Sequence, residues 1–110
     1  MTNLTEMKCV SCEGGVPTLT PEEVKKYLKL TPEWQVNEDS TIISRLFKFK
    51  GYYKTIAFVN ALAWIANQEG HHPDLEVSFD KCLVKFTTHA INGLSDNDFI
   101  CAAKVDKLSA

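Results

Sequence analysis

The sequence predicts an α+β fold: a four-stranded antiparallel sheet with three helices packed on one face, in the order α-β-β-α-β-β-α. Three observations lead there. Two segments open with helix-capping signals, Thr20-Pro21-Glu22-Glu23 and Ser95-Asp96-Asn97-Asp98. A long apolar stretch between them, Tyr52 to Glu69, has the length of a helix and lies between two glycines, Gly51 and Gly70. The segments flanking that stretch are rich in β-branched and aromatic residues and alternate apolar with polar.

The elements follow in order. Residues 1–18 read as an irregular arm, ahead of a single domain that makes up the rest of the 110 residues. The arm carries Cys9-Val10-Ser11-Cys12 and then Glu13-Gly14-Gly15. A structural zinc needs four ligands, and no second Cys-x-x-Cys or matching His pair follows. The arm therefore reads as surface chain rather than a metal or redox motif. The first helix starts at Thr20, which caps it, with Pro21 in the first turn and Glu23 completing a capping box. Leu19 and Val24 are spaced as a hydrophobic staple, and Thr31-Pro32 stops the helix. Residues 34–36 read as a short strand, 37–40 as a turn and 41–50 as a longer strand ended by Gly51. After the long helix, residues 75–79 and 82–89 read as a hairpin turning at Asp80-Lys81. Residues 90–93 form a loop. Ser95 then caps the last helix, Asp98 takes the capping-box position and Leu94 with Phe99 staples it, the helix running to about Leu108.

Between Ile56 and Ala66 the long helix has one polar residue, Asn60. A surface helix normally shows one apolar stripe and one polar face, so a second apolar face needs its own cover. The expectation is a homodimer or homotetramer formed through helix 52–69, the alternative being that the N-terminal arm covers that face.

Composition narrows the function classes. With 45% hydrophobic and 24% charged residues, the chain resembles an ordinary globular protein. A net charge of −2 without a basic block argues against direct nucleic-acid binding. The N-terminus lacks a signal-peptide pattern, and the longest apolar run, residues 61–66, is too short to span a bilayer. The four cysteines do not read as a disulfide framework, and a cytoplasmic location is expected.

The candidate site centres on Gly70-His71-His72-Pro73-Asp74, which holds two of the three histidines. Gly70 suits the left-handed residue that ends a helix, and Pro73 biases His72 toward extended geometry. With Asp80-Lys81 as a two-residue turn, Phe79 faces Cys82, Val77 faces Val84 and Leu75 faces Phe86. That register sets His72 across from His89, roughly 4.5–5.5 Å apart at Cβ. Imidazole exchanges protons at neutral pH, so converging histidines point to cofactor-free acid–base chemistry on a small molecule. Neither a nucleophile elbow nor a glycine-rich phosphate loop is present. Three histidines can also hold zinc, but adjacent residues such as His71 and His72 usually point apart, and no metal is expected. Other readings stand beside this one: the histidines could be structural, and Asp98 is equally explained as a helix-start carboxylate.

The motif Glu69-Gly70-His71-His72-Pro73-Asp74, followed by Phe79, Thr87-Thr88-His89 and Asp98, resembles the signature of the pterin-4a-carbinolamine dehydratases. The resemblance runs from about Leu19 to Val105, and the arm from Cys9 to Gly15 resembles the start of bacterial members. It implies a dehydratase that converts 4a-hydroxytetrahydropterin to quinonoid dihydropterin and water, recycling the cofactor of aromatic amino acid hydroxylases. It further implies that His71 and His89 work in acid–base catalysis and that His72 mainly holds substrate. Gly70, Pro73, Thr87, Thr88, Ala90 and Asp98 then belong to the pterin site. Family members need no metal or cofactor and associate through the central helix. One position departs from the pattern: Asn67 stands where a charged residue is usual, one helical turn before His71. The alternative implied function is a weakly catalytic or non-catalytic protein-binding module, of the kind in which some animal members act as dimerisation cofactors.

Overall fold

The computed structural model describes residues 3–10 and 17–109. Cys12, and with it the Cys-x-x-Cys spacing, lies outside the described residues. The predicted α+β architecture is present: helix α1 (Pro21–Leu28), strands β1 (Gln35–Val36) and β2 (Ile43–Lys48), helix α2 (Tyr52–Glu69), strands β3 (Asp74–Val77) and β4 (Lys81–Phe86), and helix α3 (Asp96–Asp106). The strands form one antiparallel sheet in the order β1-β2-β4-β3.

One face of the sheet carries the core. Ile43 and Phe47 of β2 lie beside Phe86 and Cys82 of β4, and Val84 sits between them, all buried. Phe58 and Leu62 of α2 and Phe99, Ile100 and Val105 of α3 close over this layer. The other face, with Ser44, Leu46, Lys48, Leu83 and Lys85, is exposed or half-buried. Trp34 is a buried residue just before β1, its indole N–H donating to Asp106 Oδ1 at 2.8 Å. Arg45 reaches the same oxygen at 2.7 Å, tying the end of α3 to the sheet. The capping box of α1 forms as expected: Thr20 N–H donates to Glu23 Oε1 and Glu23 N–H to Thr20 Oγ1.

The hairpin differs from the expected register. Val77 pairs with Cys82 and Leu75 with Val84, a two-residue shift. The turn is at Phe79-Asp80, closed by Ser78 N–H donating to the Lys81 carbonyl at 2.9 Å. A shift of two keeps every side chain on its expected face, which is why the apolar pattern could not detect it. Tertiary bonds select this register. Thr55 Oγ1 donates to the Phe79 carbonyl at 3.0 Å, and Phe49 N–H to the Asp80 carbonyl at 2.8 Å. Phe79 is consequently not a core residue but a turn tip, 66% exposed.

Strand β4 also ends sooner than residues 82–89 suggested. It stops at Phe86, and His89 belongs to a 3-10 turn, His89–Ile91. The short bridge between Thr88 and Gly93 bends the chain back there. The N-terminal arm is not a plain surface segment. It contains a 3-10 turn, Leu4–Glu6, and Leu4 is only 4% exposed, packed in the core.

Helix α2 buries a single stripe, Thr55, Phe58, Leu62 and Ala66. Tyr52, Tyr53 and Trp64 point outward, Trp64 being 66% exposed. No helix among the described residues is long and apolar enough to cross a membrane.

Candidate active site

The end of α2 is what aims the first histidine. Gly70 takes the left-handed conformation (φ 64°), and its N–H donates to the Asn67 carbonyl at 3.3 Å. His71 N–H reaches back to the Ala66 carbonyl at 3.2 Å. This pair of bonds is a Schellman termination, and it turns His71 off the helix axis toward the sheet. The His71 ring lies nearly parallel to Phe86, 5.9 Å between centroids and 11° between planes. Asn67 is exposed on the helix, and the carboxylate beside His71 comes from elsewhere in the chain.

That carboxylate is Asp98, 0% exposed at the start of α3. Its Oδ1 lies 2.6 Å from His71 Nε2. Its Oδ2 accepts from Thr88 Oγ1 at 2.7 Å and from Ser95 N–H at 3.0 Å. Since the Thr88 hydroxyl proton goes to Asp98, the 2.8 Å contact between Thr88 Oγ1 and Ser95 Oγ is donated by Ser95. Asp98 is thus both the capping-box residue and the hydrogen-bond partner of His71. No buried side-chain nitrogen or oxygen among the described residues lacks a partner, as a rigid polar network requires.

His71, His72 and His89 line one open cavity of about 480 Å³, together with Gly70, Thr87, Thr88 and Ala90. The convergence of the histidines is therefore present, though not by the expected cross-strand pairing. The observed register, continued outward, sets His72 level with Thr87, and His89 arrives through the 3-10 turn instead. Thr87 also ties together the ends of the central strands β2 and β4, its hydroxyl donating to the Thr41 carbonyl at 2.6 Å. Two of the predicted site residues do not line the cavity: Asp98 lies behind His71, and Pro73 leads into β3. Among the described residues, no group of three or more His, Cys, Asp or Glu side chains is gathered as metal ligands would be.

Four lining residues are not among the predicted site residues: Cys9, Val10, Glu69 and Asn97. They form the junction between the arm and the helices. Cys9 N–H donates to Glu69 Oε1 at 2.9 Å. Asn97 holds Val10 with two bonds, accepting from its N–H at 3.0 Å and donating Nδ2 to its carbonyl at 2.6 Å. Glu69 Oε2 accepts from Lys104 Nζ at 2.7 Å. Burial pushes the Glu69 carboxyl up, but the Lys104 ammonium and the Cys9 N–H outweigh it and hold the group below the usual carboxylate range. Asn97 reads in sequence as an ordinary first-turn residue, and nothing local marks its partner 87 residues earlier.

Residues 17–108 match the family model described as pterin 4 alpha carbinolamine dehydratase. The chain is 57% identical over 107 residues to a Legionella pneumophila protein provisionally named pterin-4-alpha-carbinolamine dehydratase, covering 96% of this chain and 95% of that one. A Nitrosomonas europaea protein with the same provisional name is 58% identical over 112 residues, covering 98% and 97%. Among solved structures, one described as a transcriptional coactivator/pterin dehydratase from Brucella melitensis superposes with a TM-score of 0.81 at 28% identity, covering 84% of this chain and 99% of that one. A pterin dehydratase-like protein described as a RuBisCO assembly factor shares the fold at a TM-score of 0.62 and 24% identity, over 71% of this chain and 90% of that one. With its family model matched over most of its length and relatives above half identical from end to end, the chain belongs to the pterin 4 alpha carbinolamine dehydratase family.

Proposed function

We propose that the protein dehydrates 4a-hydroxytetrahydropterin to quinonoid dihydropterin by histidine acid–base catalysis, recycling the pterin used by aromatic amino acid hydroxylases. The observation that carries this reading is the set of three histidines around one cavity, with His71 held by the buried Asp98. In the reaction the C4a–O bond breaks. The hydroxyl leaves as water with a proton from one imidazole, and another imidazole takes the proton that a ring nitrogen loses as the C=N bond forms. Atoms and electrons balance without an oxidant, a reductant or a bound cofactor.

His71 and His89 are the proton-transfer groups, and His72 is a substrate-holding residue. With His71 Nε2–H donated to Asp98, Nδ1 is the nitrogen left to exchange a proton with substrate. Gly70, Thr87, Thr88 and Ala90 supply the pterin-facing walls, and Pro73 fixes the backbone that presents His72. The outward apolar face of α2, with Tyr52, Tyr53 and Trp64, is the contact through which copies of the chain associate as a homodimer or homotetramer.

The test is turnover of a 4a-hydroxytetrahydropterin by the purified protein. His71→Ala and His89→Ala should each lower the rate by roughly 10²–10⁴-fold. His72→Ala should act more on KM than on kcat, and the His71/His89 double change should fall short of the product of the singles. Folded variants with full activity would overturn the catalytic assignment and favour a protein-binding module instead.

A further inference from the structure

We propose that Cys9 and Cys101 form a reversible intramolecular disulfide that fixes the N-terminal arm as one wall of the histidine cavity. Their Sγ atoms lie 3.5 Å apart although the residues are 92 positions apart in the chain. A disulfide needs the sulfurs at about 2.0 Å, so the pair must close by roughly 1.5 Å, within reach of small side-chain and arm movements.

The surroundings favour this pair over other thiols. Cys9 is half-buried and lines the cavity, so it can be reached from solvent. Cys101 is fully buried on α3, four residues beyond Asn97 and on the same helix face. Glu69 and Asn97 seat Cys9 and Val10 by their backbones, which holds the Cys9 side chain over Cys101. The Cys9 thiol also lies 3.7 Å from the Asn97 carbonyl. The hydrogen bond with Cys9 and burial both push the Cys101 thiol up, so Cys9, at the cavity wall, is the sulfur that meets the oxidant first. Cys82 is sealed in the sheet, its thiol raised by burial, and it takes no part.

The oxidant is hydrogen peroxide. The Cys9 sulfur attacks the O–O bond and becomes a sulfenic acid, releasing one water. The Cys101 sulfur then attacks the sulfenic sulfur, the S–S bond forms and a second water leaves. Two thiols have lost two hydrogens and two electrons, and one peroxide has been reduced. A dithiol reductant reverses the link. The pairing differs from the one the Cys9-x-x-Cys12 spacing suggests.

The experiment treats the full chain with hydrogen peroxide and maps its thiols by mass spectrometry. The expected product has lost about 2 Da per chain and joins the Cys9 peptide to the Cys101 peptide, with reversal by dithiothreitol. The melting temperature should rise by roughly 10 °C or more in the linked form, because the bond closes nearly the whole chain into one loop. Cys12→Ser should keep the link, and Cys9→Ser should abolish both the link and the melting shift. A Cys9–Cys12 disulfide, a disulfide between two chains, or over-oxidised Cys9 beside free Cys101 would each overturn the proposal. None of these readouts depends on pterin turnover.

Discussion

Replacing Asp98 with Asn tests the core of the site with almost no change in shape. The carboxylate accepts three bonds, from His71 Nε2 at 2.6 Å, Thr88 Oγ1 at 2.7 Å and Ser95 N–H at 3.0 Å. An amide has one acceptor oxygen in place of two. If that oxygen keeps Thr88 and Ser95, the NH₂ group faces His71, and Nε2 must become an acceptor with the proton on Nδ1. The tautomer needed to exchange a proton through Nδ1 is then the wrong one. Hydrogen bonds to a charged group contribute about 1.5–3 kcal/mol and neutral ones about 0.5–1.5, so three bonds weakened by about 1 kcal/mol each cost about 3 kcal/mol. In a domain of this size that lowers the melting temperature by roughly 10 °C. Turnover should fall by roughly 10²–10⁴-fold, as for loss of a proton-transfer group. Nitrogen NMR of the histidine rings reads the tautomer directly, beside thermal melts and pterin turnover. A folded Asp98→Asn protein with its protonated nitrogen still at Nε2 and turnover near the parent's would refute the reasoning.

Three further outcomes are expected. Trp64→Glu, on the outward face of α2, should leave the fold intact and reduce the particle to one chain by light scattering, whereas Phe58→Glu or Leu62→Glu puts an unpaired charge in the buried stripe and should unfold it. Because the folded-state pKa of Glu69 is depressed, its stabilising contribution is present above the ordinary carboxylate range and lost as pH falls through the folded value. Melting temperatures followed from about pH 6 to about pH 3 should therefore fall less steeply for Glu69→Gln than for the parent; equal slopes would count against the Lys104 and Cys9 contacts. Gly70→Ala meets no steric neighbour but keeps a left-handed φ of 64°, so it should cost about 1–2 kcal/mol and slow turnover by misdirecting His71, both measurable by denaturant titration and kinetics.

Much of the site was legible because it is built from local signals. Gly70 and Pro73 enforce a turn wherever they stand, so His71 and His72 had to lie at a helix end. Ser95 and Asp98 have capping-box spacing, which fixed Asp98 at the first turn of α3. Convergence of the histidines was anticipated from a hairpin register that proved to be off by two residues. The expectation held because a shift of two preserves the facing pattern and because the 3-10 turn carries His89 into the cavity. The arm was misread because its anchors, Glu69 and Asn97, bond to backbone groups of Cys9 and Val10, which leave no trace in side-chain pattern.

By itself the sequence determined the element order, the core-facing alternation of the strands, the caps of α1 and α3, and the placement of two histidines and one aspartate at element ends. These depend on backbone preferences and periodicity that act within a few residues. Only the tertiary structure decided the hairpin register, which Thr55 and Phe49 select by binding the turn's carbonyls. It also decided that Asp98, not a residue on the preceding helix turn, partners His71, and that the arm closes one side of the cavity beside a pair of thiols. Those contacts join residues 24 to 92 positions apart. Their formation depends on how the helices pack across the sheet, which local sequence does not encode.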